Sequence, residues 1–209
     1  MTVELRDVAA GLWLWRQPHR DWRPGLDWGP EVSSFCVTSG GVTMLVDPLA
    51  PPASCRDFWE RLGDHPPSLV VILKPDHVRD VDVFVRLYGA EAYGPILYFR
   101  DDVPATELAW VEPGSVLPGG VVALDDGRGR NETPLWLPEQ QALVFADGMT
   151  APEGELRVWA TPRHEDRVLP ALRELLALPF ELVLVSHGEP VHTRDDFVRA
   201  LELPSYGAE

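Results

Sequence analysis

One phrase is written twice in this chain: a strand pair closing on an aspartate, a helix, then an apolar strand running into a histidine. The first copy is Ser33-Ser34-Phe35-Cys36-Val37, a Gly40-Gly41 turn, and Val42-Thr43-Met44-Leu45-Val46-Asp47, with Ser68-Leu69-Val70-Val71-Ile72-Leu73 leading to His77. The second is Thr133-Pro134-Leu135-Trp136-Leu137, a Pro138-Glu139-Gln140-Gln141 turn, and Ala142-Leu143-Val144-Phe145-Ala146-Asp147, with Leu182-Val183-Leu184-Val185 leading to His187. Two such halves packed face to face bring Asp147, His77 and His187 toward one cleft. Polar residues at the ends of apolar strands are the pattern of a metal site.

The length of 209 residues and a hydrophobic share of 45% fit one domain spanning residues 1–209 with a sizeable core. A net charge of −15 repels a phosphate backbone, so nucleic acid is excluded as a partner and a small molecule is expected instead. Glu4, Arg6 and Asp7 stand where a secretory signal would be apolar, and no apolar run approaches the ~20 residues of a membrane span. Cys36 and Cys55 have no CxxC spacing and read as free thiols, which together with these features predicts a cytoplasmic protein. Lys74 is the only lysine and Asn131 the only asparagine, which reads as a coding bias, with heat tolerance as a second explanation.

Hydrophobic spacing predicts helices over 54–63, 80–88, 166–178 and 195–202. An opening strand is expected around Leu12-Trp13-Leu14-Trp15, a buried strand over 68–74 and another over 91–99. Prolines at 104, 113 and 118 break the stretch from 100 to 120 into loop or edge strand. Residues 17–30 form a long loop, whose Trp22 and Trp28 either pin it to the body or wall a cleft. The count of strands and helices in each half predicts a two-sheet αββα sandwich with helices outside.

Over roughly residues 10 to 202 the chain resembles the metallo-β-lactamase superfamily, an αββα sandwich that binds one or two metals along one edge of its sheets. Asp47 matches the aspartate that closes the first hairpin and supports the site. The family's H-x-H-x-D-H falls on Pro75-Asp76-His77-Val78-Arg79-Asp80, so only its second histidine is kept, as His77. Proline offers no ligand, and Arg79 puts a permanent cation where a carboxylate belongs. Gly127-Arg128-Gly129-Arg130 occupies the stretch where another histidine is expected. Asp147 matches the bridging aspartate and His187 the final histidine. The resemblance thus leaves His77, Asp80, Asp147 and His187 as metal ligands for one Zn, Fe or Mn ion, or for none.

Two outcomes compete for these residues. In one, a metal lowers the pKa of a bound water toward ~7 and drives hydrolysis of an ester, thioester, lactone or amide. Asp147 and Arg79 are then the catalytic pair, Arg79 orienting an anionic substrate or stabilising developing charge. In the other, Arg79 lies in the emptied cavity, pairs with Asp147 or Asp80, and leaves a catalytically silent descendant. Asp76 either enters the site or orients His77. A binding or interaction protein using the old cleft without chemistry is the alternative from another class. His19 and His192 are candidates for the cleft wall, whereas His65 and His164 read as surface residues. Serine-hydrolase and phosphate-loop chemistry are excluded, because no G-x-S-x-G elbow and no glycine-rich loop with its lysine is present.

Overall fold

The computed structural model describes residues 2–96, 103–129 and 132–207. The strands of the first sheet are β1 (Glu4–Ala9), β2 (Leu12–Pro18), β3 (Glu31–Ser39), β4 (Val42–Val46), β5 (Leu69–Val71), β6 (Glu91–Gly94) and β7 (Ala109–Trp110), and they lie side by side in that order. The first four form an antiparallel meander. The helices α1 (Arg56–Asp64) and α2 (Val81–Tyr88) then return the chain so that β5 and β6 join parallel to β4. Gly40 and Gly41, at φ 55° and 77°, make the two-residue turn between β3 and β4, a conformation other residues adopt only with strain.

The second half repeats this plan. The strands β8 (Val122–Ala123), β9 (Leu135–Leu137) and β10 (Ala142–Phe145) are antiparallel neighbours. After the short pair β11 (Met149–Thr150) and β12 (Arg157–Val158) and the helix α3 (Leu169–Glu174), β13 (Leu182–Val185) returns parallel to β10. The strand β14 (Val191–Thr193) and the helix α4 (Arg194–Ala200) complete a second sheet of order β14-β13-β10-β9-β8.

The two sheets stack face to face. Leu12, Leu14, Phe35, Met44 and Val46 of one meet Leu135, Leu137, Val144 and Leu184 of the other in a dry layer. Alternate residues of the same strands point outward under the helices. Trp13, Trp15 and Leu45 pack on Phe58, Leu62 and Phe84 of α1 and α2, while Leu143, Phe145 and Val185 pack on Leu172 and Phe197 of α3 and α4. Burial on both faces is why these strands read as unbroken apolar runs. The result is the expected αββα sandwich.

Details differ from the sequence expectation. The opening strand is a hairpin, β1 with β2. The strand expected over 68–74 stops at Val71, because the chain turns to deliver residues 74–80 to the sheet edge. Residues 97–99 of the strand expected over 91–99 lie outside the described residues. The helix expected over 166–178 is a π turn at His164–Val168, then α3, then a 3-10 turn at Leu175–Ala177. The backbone stays helical through Val168 and Leu169, so what changes is the hydrogen-bond spacing, next to Pro170, which has no N–H to donate. Among the described residues no helix is long and apolar enough to cross a membrane.

Candidate metal centre

The site forms where both parallel strand pairs end. Val46 pairs with Val71 and Phe145 with Val185, so the segments that follow, carrying Asp47, residues 74–80, Asp147 and His187, emerge on one edge. Backbone bonds from Ser33 N to Ser186 O (2.8 Å) and from Thr133 N to Leu73 O (2.9 Å) stitch the two sheets together there.

Asp47 adopts a left-handed φ of 44°, tolerable for an aspartate, and both its oxygens are engaged. Oδ1 accepts from Leu73 N at 2.8 Å, and Oδ2 lies 2.8 Å from His77 Nδ1. That contact fixes the imidazole and turns Nε2 to the cleft. Across the seam His77 Nε2 lies 3.2 Å and His187 Nε2 3.1 Å from the same atom, Asp147 Oδ1. Oδ1 is buried and has no assigned hydrogen-bond partner, the two imidazoles standing beside it as ion-pair partners. Ligands ~2.0–2.1 Å from a tetrahedral zinc lie about 3.3–3.4 Å apart, so this spacing is close to that of atoms facing a common ion. One imidazole from the first half with a carboxylate and an imidazole from the second is a donor set that fits such an ion.

Three of the four expected ligands therefore meet, and Asp80 does not join them. Its carboxylate accepts from Ala50 N at 2.7 Å and pairs with Arg20, clamping the 17–30 loop to the start of α2. Arg79, expected to pair with Asp147 or Asp80, instead donates through Nη1 to Asp47 O (2.7 Å), Ser33 O (2.9 Å) and Ser34 Oγ (3.2 Å). Its backbone is also left-handed, at φ 45°. The cation beside Asp147 is Lys74, whose Nζ lies 2.9 Å from Asp147 Oδ2 and also touches Asp76. Asp76 is thus tied to the lysine rather than to His77.

Beneath the site lies a charged layer absent from the sequence expectation. Glu132 is buried and accepts from the amides of Ala146 (2.8 Å), Asp147 (3.1 Å) and Gly148 (2.6 Å), fixing the turn that aims Asp147. Arg128, in the stretch without the expected histidine, bonds Asp126 at 2.7 Å and the carbonyls of Gly148 (3.1 Å) and Trp159 (2.8 Å). The only sequence signals were a lone lysine beside a broken motif and acidic residues before an apolar strand.

The electrostatics follow from this crowding. Burial drags His77 down, but the Asp147 and Asp47 carboxylates outweigh it and lift the imidazole to about 9. Burial also opposes the Lys74 charge, yet Asp147 and Asp76 raise it above its usual value. Burial would raise Asp147, but His77 and His187 hold it well below the carboxylate range. Burial, with Asp126 nearby, pushes Glu132 up to about 8.

These groups floor a cavity of about 580 Å³, walled by His19 and Trp28 from the first half and by Trp159 and Pro162 from the second. Trp28 stands edge-on to both His19 and His187, with centroids 5.4 and 5.3 Å away. Tyr206 joins the walls: its ring packs against Trp159 at 5.2 Å, and its hydroxyl donates to Asp27 O at 2.9 Å. His192 bonds the Glu189 carbonyl at 2.7 Å and His65 is exposed, both away from the cavity.

Comparison with solved structures places this architecture. The metallo-β-lactamase FIM-1 from Pseudomonas aeruginosa, solved in a mono-zinc form, matches with a TM-score of 0.70 at 19% identity, over 97% of this chain and 96% of that one. A metallo-β-lactamase from Hirschia baltica matches with a TM-score of 0.70 at 17% identity over 97% of each chain. One from Pontibacter korlensis gives 0.68 at 14%, over 97% of this chain and 100% of the other. No protein-family model matches the sequence, and no curated protein matches it. The chain has the metallo-β-lactamase fold.

Proposed function

We propose that this one-domain chain is a hydrolase that uses a single metal ion, held by His77, Asp147 and His187, to cleave an ester, thioester or lactone. The observation that carries this reading is Asp147 Oδ1, a buried anionic atom with no hydrogen bond and with two imidazole nitrogens turned toward it. Zinc suits the mixed imidazole and carboxylate set, with iron or manganese also compatible, and the mono-zinc form of FIM-1 supports a one-ion arrangement on this fold. When bound, the ion supplies Lewis acidity and activation of water.

The chain's own residues do the rest. Asp47 holds the His77 ring with Nε2 exposed to the cavity, and Glu132 holds the Asp147 turn. Arg79 spends Nη1 on backbone and hydroxyl oxygens, and among the described residues its other N–H groups have no acceptor, which leaves them for an oxygen of the substrate. Trp28 and Trp159 give an apolar substrate group its walls and keep bulk water off the floor. Acidic overall charge supports a small molecule rather than nucleic acid as the substrate, and two free thiols support a reducing compartment such as the cytoplasm.

Metal analysis of protein purified without chelator, with an esterase and thioesterase panel, tests this reading. Stoichiometric metal and turnover, both lost in Asp147→Ala, are expected. No metal, and no change in melting temperature on adding zinc or manganese, overturns it. That second result favours a binding protein, a reading supported by the Lys74 ammonium that already neutralises Asp147.

A further inference from the structure

Lys74 is a charged group on the cavity floor, beside Asp147, that the hydrolase reading leaves without a task. It is the chain's only lysine, follows β5, and has a side chain only 12% exposed. Asp147 divides its two oxygens between different partners: Oδ1 faces the imidazoles, and Oδ2 lies 2.9 Å from Lys74 Nζ. Any second cation sharing Asp147 has to take Oδ2, and the ammonium already holds it.

Three acidic side chains near the site are committed elsewhere. Asp80 is committed to Arg20 and Ala50, Asp76 to Lys74, and Glu132 to three backbone amides. An ammonium has three N–H donors. Asp76 and Asp147 take two of them, and among the described residues no acceptor meets the third.

Resting on the single-metal reading above, we propose that Lys74 is a resident positive charge in the place a second metal would occupy. It limits the site to one ion and offers its third N–H to the carbonyl oxygen of the substrate, whose negative charge grows as the bond to the attacking oxygen forms.

The test compares zinc affinity of the parent protein, Lys74→Met and Lys74→Gln by competition with a chromogenic chelator, alongside turnover of a chromogenic acetate ester at saturating zinc. Removing a like charge from beside the ion should tighten zinc binding about tenfold or more. Turnover by the zinc-loaded variants should fall about tenfold or more, because the oxyanion loses a donor. Lys74→Gln retains a donor toward Asp147, so it remains informative if Lys74→Met does not fold. Equal or weaker zinc binding in the variants overturns the lysine assignment and leaves the single-metal reading standing. Zinc uptake by the variants but not the parent overturns the hydrolase reading and keeps Lys74 as the resident cation. Uptake by none of the three overturns both.

Discussion

Asp47 binds no ion in the proposed site, yet the aim of His77 depends on it. Replacing it by asparagine keeps an oxygen for Leu73 N but removes the negative partner of His77 Nδ1. Asp47→Asn should therefore weaken metal binding about 10–100-fold while the chain stays folded, measured by chelator competition. Gly188 is a second residue with no chemistry of its own. At φ 87°, a Cβ there would stand 1.8 Å from Ala151 O, so Gly188→Ala has to shift the His187 turn. A loss of about 2–4 kcal/mol in denaturant unfolding is expected, with metal uptake reduced in parallel. His77, Asp147 and His187 were legible in the sequence because each follows a strand whose apolar run marks where the sheet edge falls. Asp80 misled, since its spacing says nothing about Arg20, a loop residue that reaches it only in the folded chain. Lys74 and Glu132 were missed for the same reason: their partner Asp147 and its turn are fixed by packing between sheets, which no local pattern records.

At the level of elements, α4 has the most complete local signal. Thr193 accepts from Asp196 N, and the Asp196 carboxylate accepts from Thr193 N at 2.9 Å, a reciprocal cap. Thr193→Ala should cost about 0.5–2 kcal/mol, read from chemical unfolding. Hydrogen bonds from the Thr193 backbone and hydroxyl hold Asp196 below its ordinary value of 3.8. A carboxyl depressed by folding stabilises above its unfolded pKa, so this contribution is complete at neutral pH and disappears as acid carries the solution below 3.8 and through the folded value. In Asp196→Asn the acid side of the stability profile should be flatter there. Helices α1, α2 and α4 were predicted within a few residues because amphipathic spacing survives burial of one face. The helix around Leu169 was predicted as a single piece, and the backbone does stay helical through Val168 and Leu169, while apolar spacing carries no sign that the hydrogen bonds change from π to α there. The end of β5 was blurred for the converse reason: Ile72 and Leu73 are as buried as the strand itself, although the chain has already left it.

For the whole molecule, the proposed ion is a cross-link between halves, His77 coming from the first and Asp147 with His187 from the second. Zinc at a hundredfold excess over its dissociation constant should stabilise the fold by about 2.7 kcal/mol. Thermal melts with and without zinc check this, and Asp147→Ala should show no shift. The sandwich itself was legible because a duplicated hairpin, helix and strand leaves few ways to bury two sheets. The bonds that stitch the halves at that edge were not, for those of Ser33 and Thr133 are made by backbone atoms that every sequence supplies. Tyr206 lies far along the chain from the ligating residues, yet it yokes the indole of one half to the loop of the other. Two walls of the cavity are thus tied together by a residue that stands outside it, away from the groups that would react. Removing that phenol should free the Trp159 indole and the 17–30 loop from one another, with the reactive floor left as it is.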